Sequence, residues 1–248
     1  MELFKQNITV DSISSDLEYW KCELQSKEEA MQLMKDENYD LLVIKKGEKI
    51  LKKVLTKDKK ILEITNEQII SENLPITDLL NKFINKQIRH YFLNKEGEIN
   101  KIITIGDLQK GPARLLLFGL IMNFEVVCID FIIKYAPNWE TLLDSKVLKK
   151  IEKKYKSLKA KDLDINKLHC SFIIDKIEII KQTEMFEDFC LICKRDKGDI
   201  RYILKKLKDF RNNLAHSNHM RAKFDDWADL LESIRICRIF TNEMRKLL

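Results

Sequence analysis

The sequence predicts an α+β chain, with a β-rich, internally repeated N-terminal part and an all-helical C-terminal part. Three observations lead there. A helix–strand–turn–strand order occurs twice within the first 110 or so residues, at a spacing of about 50. Downstream of Gly111-Pro112 the apolar residues follow helical periodicity alone. Apolar residues make up 45% of the 248 positions, and Gly (six) plus Pro (three) fill only nine of them, which favours a packed, largely helical chain over a disordered one.

The first repeat opens at Ser26-Lys-Glu-Glu29, where Ser26 can cap a helix and Glu29 can reach back to it. That helix carries Ala30, Met31 and Met34. A strand follows over Tyr39 to Ile44, then a turn at Lys46-Gly47-Glu48 and a second strand from Ile50 to Thr56. The second repeat begins at Pro75-Ile-Thr-Asp78, with Leu79, Leu80, Phe83 and Ile84 on one helix face. Its strands run from Arg89 to Leu93 and from Ile99 to Ile105, joined by a turn at Asn94 to Gly97. Two such units are expected to pair their small sheets into one domain, residues 1–111.

The second domain, 112–248, is expected to hold helices at about 113–135, 141–158, 165–182, 184–194, 199–214 and 222–247. The apolar run from Ala113 is interrupted by Arg114, Asn123, Glu125 and Asp130, so it reads as a core helix and not a membrane span. The N-terminus, MELFKQNITV, lacks a secretion signal. With six cysteines, the expectation is a cytoplasmic protein with reduced thiols and no membrane partner.

The net charge is +6, but the basic residues cluster. Eight lysines lie between Lys146 and Lys161 against one acid, Glu152, and a second concentration from Lys205 to Lys223 includes Lys206, Lys208, Arg211 and Arg221. Such stretches attract polyanions, nucleic acid first among them, although a solvated helix face has the same composition.

At the end of helix 199–214 stands Arg211-Asn-Asn-Leu-Ala-His216. These residue types suit cleavage of RNA by its own 2′-hydroxyl. Histidine moves protons near neutral pH, arginine offers a fixed fork of donors to phosphate, and asparagine adds neutral hydrogen bonds. No metal or other cofactor is required. His216 lies about 140° round the helix from Arg211, so the two meet only if the helix ends, frays, or packs on another copy of itself. The plainer alternative pairs Arg211 with Asp209 or Asp225 and leaves His216 as a helix-terminal residue. His219 is a further residue that would assist RNA binding.

The string Asp209 to His216, late in an all-helical region, resembles the signature of HEPN domains, helical ribonucleases of toxin, abortive-infection and CRISPR-associated proteins. The resemblance covers roughly residues 113–248. It implies catalytic roles for Arg211, Asn212 and His216, and a homodimer with two motifs facing a shared groove. It also implies 2′,3′-cyclic phosphate and 5′-hydroxyl products, and a role as toxin or antiphage effector. A toxin reading admits a neutralising partner protein.

The N-terminal repeat resembles a pair of CBS domains, adenine-nucleotide-sensing modules. The match is strongest at Ile103-Thr104-Ile-Gly-Asp107. By that resemblance Thr104 meets phosphate and Asp107 takes ribose hydroxyls of a regulatory adenine nucleotide. The alternative is that Asp107 simply caps the next helix. In the first repeat, Thr56-Lys57-Asp58 is one residue short of this pattern. Cys190-Leu-Ile-Cys193, with His169-Cys170, is the one combination with metal-ligand residue types, and buried thiols are the expected reading. The rival to a regulated ribonuclease is a non-catalytic nucleotide-sensing adaptor that binds RNA or protein through its lysines.

Overall fold

The computed structural model describes residues 8–86, 88–161, 164–216 and 218–248. The first seven residues, on which most of the leader reading rests, lie outside the described residues, as do Ser217 and the Lys223 side chain in the second basic stretch. The protein is α+β, and it divides into two compact units, Met1–Ala113 and Arg114–Leu248.

The N-terminal unit contains β1 (Ser15–Asp16), β2 (Tyr19–Lys21), α1 (Lys27–Asp36), β3 (Leu41–Lys46), β4 (Lys49–Thr56) and β5 (Ile61–Glu63). It continues through β6 (Ile69–Ser71), α2 (Ile76–Asn85), β7 (His90–Lys95) and β8 (Glu98–Thr104). Ser26 caps α1 as expected: its Oγ accepts the Glu29 N–H at 3.2 Å, and Glu29 Oε2 accepts the Ser26 N–H at 2.7 Å. Such a box adds about 1 kcal/mol. Ala30 and Met34 then face Trp20, Leu42, Ile44 and Leu55 on the sheet. The hairpin turns follow local chemistry, with Gly47 at φ +57° and Glu96-Gly97 at +51° and +95°.

Two four-stranded sheets form, in the orders β2-β3-β4-β5 and β1-β8-β7-β6. In each, a short strand runs parallel to the strand after the helix, and a hairpin completes the sheet. The sequence pattern missed the four short strands β1, β2, β5 and β6, because two or three residues show no alternation. Their placement interlocks the repeats. β5 precedes the second repeat but pairs with β4 of the first, while β1 precedes the first repeat but pairs with β8 of the second. Leu17 and Ile64, each directly after one of these strands, meet Val43, Val54, Phe92 and Ile99 in a shared core.

The second strands of the two repeats differ by one residue between hairpin and threonine, and bulges take up the difference. Residues 51–53 of β4 stand opposite the single residue Ile44, and Lys52 takes φ +51°. In β8 only Asn100 is extra. The larger bulge in β4 brings Thr56 to the ladder position opposite Leu41 that Thr104 occupies opposite His90.

The C-terminal unit is helical: α3 (Gly111–Tyr135, crossing the boundary), α4 (Ser145–Lys159), α5 (Ile173–Ile180), α6 (Met185–Cys193), α7 (Lys197–Ala215) and α8 (Trp227–Leu247). Three predicted helices begin later than expected because side chains cap them. Asp144 accepts the Lys146 N–H, Asp226 accepts the Asp229 N–H, and Asp175 accepts the Phe172 N–H at 2.8 Å. The last cap splits the expected helix 165–182 into a 3₁₀ turn, Lys167–Cys170, and α5. Phe131, Phe186, Phe189 and Phe240 join α3, α6 and α8, with ring centroids 5.2–6.1 Å apart. By length and composition α3 could cross a membrane, yet half of its most apolar window is buried inside the fold.

Candidate functional site

α7 sets the site. Its buried face, Ile203, Leu204, Leu207, Phe210 and Leu214, turns Lys208, Arg211 and Asn212 to the flank. The middle asparagine, Asn213, points inward, 8% exposed, with an Nδ2 that makes no hydrogen bond. The C-terminal end of α7 is held by Arg114, whose guanidinium donates to the carbonyls of Asn213, Leu214 and Asn218 at 2.8–3.2 Å. A cation on these otherwise orphaned carbonyls also complements the helix dipole. The helix ends at Ala215, and His216 is its C-cap, with its N–H donating to the Asn212 carbonyl at 3.0 Å. The His216 ring is exposed and, among the described residues, makes no hydrogen bond.

Arg211 and Asn212 line a cleft of about 450 Å³, opposite residues of α3 and α5. Glu125 lies between two cations there. Its Oε1 is 3.7 Å from the Lys176 Nζ and its Oε2 is 3.9 Å from the Arg211 Nε. The Lys176 side chain is 3% exposed and donates to the Ser171 carbonyl at 3.0 Å. Burial pushes the Lys176 ammonium below its usual pKa, and the Glu125 charge opposes this. Arg211 is loosely held: its Nη1 is 3.4 Å from Asn212 Oδ1, and its Nε makes no hydrogen bond. Lys154, Lys208 and His169 also line the cleft. One carboxylate against four permanent or near-permanent cations leaves it positive, and the Arg211 Nε is buried without a hydrogen-bond partner.

The structure thus brings Arg211 and Asn212 together but does not place His216 among the residues lining their cleft. Among the described residues Arg211 pairs with neither Asp209 nor Asp225: its ion pair is with Glu125, and Asp225 approaches Lys206. Lys206 is itself withdrawn from the basic surface. It is 9% exposed, bonded to Asp229, and lies 4.4 Å from the Tyr202 ring centroid. The first basic stretch is different, since all eight of its lysines, on and just beyond α4, are exposed. Lys154 belongs both to that array and to the cleft.

Thr104 and Asp107 do meet, but each engages the other. Asp107 Oδ2 accepts the Thr104 N–H at 2.6 Å and its hydroxyl at 2.9 Å, closing a capping box on the 3₁₀ turn Ile105–Gln109. Asp107 Oδ1 lies 2.8 Å from the Lys110 Nζ, which also donates to the carbonyls of Ile13 and Ser14. Asp107 is 9% exposed. In this arrangement it is a capping carboxylate, so a ribose could reach it only after these contacts open. Thr56 has no such partner; its hydroxyl turns to Lys60.

Among the described residues, no group of three or more His, Cys, Asp or Glu is placed to hold a metal. Cys190 and Cys193 are buried, and burial raises both thiols, Cys193 to about 11.

Sequence reasoning missed Glu125, Lys154, Phe172, Lys176 and Arg114 as site residues, and it considered His169 only as a metal ligand. One signal was available: Glu125 interrupts an otherwise apolar helix, and a charge at a buried position needs a partner. No protein-family model, no curated protein and no solved structure matches this chain.

Proposed function

We propose that the C-terminal unit is a metal-independent endoribonuclease of the HEPN kind, working as a homodimer. The observation that carries this reading is Arg211, a loosely held guanidinium in a positive cleft continuous with the exposed lysines of α4. Arg211 would neutralise the phosphorane oxygens, with Asn212 beside it as a neutral donor. The 2′-hydroxyl of RNA attacks the adjacent phosphate, its proton leaves to a base, and the 5′-oxygen departs protonated. His216 suits one of these transfers because its ring is exposed and uncommitted. The products are a 2′,3′-cyclic phosphate and a 5′-hydroxyl.

Since His216 does not line the Arg211 cleft of its own chain, a second copy is the natural source of the histidine. An apolar stripe on α3 supports that assembly. Leu115 and Ile133, about five turns apart on one helix face and outside the cleft lining, are 54% and 47% exposed. The N-terminal unit, with its interlocked repeats, would act as a CBS-like regulator that responds to an adenine nucleotide, the ligand competing with the Lys110 contact to Asp107.

The lysine array favours a second reading in which the protein binds RNA without cutting it. One assay decides: RNA is incubated in EDTA with wild type, Arg211→Ala and His216→Ala, with and without adenine nucleotides. Cleavage by wild type alone is expected. RNA equally intact in all three under every condition sinks the ribonuclease reading.

A further inference from the structure

The Arg211 cleft has an apolar side that phosphate chemistry leaves unexplained. Phe172 lines it and is 62% exposed. A lone exposed phenylalanine is ordinary. This one stands on a rigid backbone. Its N–H donates to Asp175 Oδ2 at 2.8 Å, and its carbonyl accepts the N–H groups of Asp175 and Lys176 at 3.0 and 3.2 Å. The preceding Ser171 is buried, its hydroxyl bonded to the Leu168 carbonyl at 2.7 Å and its carbonyl to the buried Lys176 ammonium. The residue is therefore fixed at its backbone and largely exposed, with the Lys154 Nζ over one face of its ring. Lys154 lies 5.8 Å from its centroid, and Met122, Val126 and Ile129 form the apolar floor beside it.

We propose that Phe172 is a stacking platform for one nucleobase of single-stranded RNA, whose adjoining phosphate sits on Arg211 and Lys208. The proposal rests on the ribonuclease reading for the identity of the strand, and it adds the substrate form. Charge complementarity selects this occupant. An apolar protein surface pressed on Phe172 would bury Lys154, Lys208 and Arg211 without countercharge, whereas a nucleotide supplies a π-face and an anion together. A duplex is disfavoured because its bases are stacked inside and present no free face.

The test uses the full-length chain and a short fluorescent single strand with 2′-O-methyl groups, which it cannot cut. Binding is read by anisotropy across a salt series, beside the same strand annealed to its complement. Phe172→Ala is expected to weaken single-strand binding about tenfold or more, with duplex binding and salt dependence unchanged. Phe172→Tyr should stay within about twofold of wild type. Phe172→Leu, which keeps bulk but loses the ring, should behave as Ala does. Lys208→Ala should instead lower the salt slope by about 0.7, the loss of one phosphate contact.

The proposal is overturned if wild type does not bind the strand, if Phe172→Ala binds as tightly as wild type, or if Phe172→Leu is fully active in binding. A change of oligomeric state in Phe172→Ala, read by light scattering, also overturns it and makes the ring a protein contact. Should the platform behave as expected while natural RNA stays uncut, the ribonuclease reading fails and the platform stands.

Discussion

Arg211 on α7 faces Glu125 on α3 across the C-terminal bundle, with its Nε 3.9 Å from a carboxylate oxygen whose partner oxygen looks toward Lys176. This is a holding contact and not a tight fork. It orients the partly exposed guanidinium, whose Nε is buried, so that a ligand would meet the Nη groups. Glu125→Gln keeps the shape and removes the charge. Cleavage is expected to fall about tenfold or more as Arg211 loses its orientation, with a stability loss of about 1–3 kcal/mol. Cleavage rates measured beside thermal melts check this. A wild-type rate in Glu125→Gln would remove Glu125 from the positioning of Arg211.

A site assembled from two chains predicts complementation. Arg211→Ala and His216→Ala should each be inactive alone. After mixing under conditions that exchange subunits, roughly a quarter of wild-type activity should return, because half the dimers are mixed and each carries one intact site. Failure to recover any activity would place both residues in the same chain's site, or neither in the site.

The buried Lys176 predicts a pH dependence of stability. Its pKa is lowered in the folded protein, first by burial, so the unfolded chain binds the proton more tightly. Stability should therefore rise with pH through a window that opens below the ordinary lysine value and closes near 10.5. Lys176→Met lacks this proton. Urea midpoints of wild type minus Lys176→Met should climb across that window, and a flat difference would show that Lys176 titrates normally.

Asp107 predicts a structural loss first. Asp107→Ala removes the cap on Ile105–Gln109 and the Lys110 contact, and about 1–2 kcal/mol of N-terminal-unit stability should go with them. Differential scanning calorimetry reads this directly. If an adenine nucleotide raises the melting temperature of wild type, that rise should vanish in the variant. A variant as stable as wild type would refute the capping role.

The thiols offer a test of packing. Cys128, Cys170, Cys190, Cys193 and Cys237 are buried, while Cys22 is partly exposed. Burial raises the Cys128 thiol, and Cys237 to about 12, so neither is a thiolate at neutral pH. A thiol reagent should titrate one cysteine in the native protein and six after denaturation. Rapid native reaction of the Cys190–Cys193 pair would show that α6 opens.

Much of the fold was legible because its causes are local. Ser26 and Glu29 cap α1 through contacts three residues apart. Gly47 and Gly97 mark hairpin turns through backbone freedom that neighbouring side chains do not alter. The apolar period of α7 fixed which of its faces would be buried, and so put Arg211 and Asn212 on the flank. The late helix starts were missed although their caps are local too, since Asp144, Asp175 and Asp226 are acids of a kind that also occurs mid-helix.

The sequence by itself thus determined the order of the longer strands and most helices, the repeat, and the motif from Arg211 to His216. These follow from backbone propensity and periodicity, which act over a few residues. Tertiary structure alone decided which residues surround Arg211. Glu125, Lys154, Phe172 and Lys176 come from three other segments of the chain, and only packing brings them to one cleft. Packing also separated lysines that look alike in sequence, burying Lys206 and Lys176 against carboxylates and leaving those of α4 in solvent. The physical reason is that burial and charge pairing depend on distance in space, and a one-dimensional pattern records only distance along the chain.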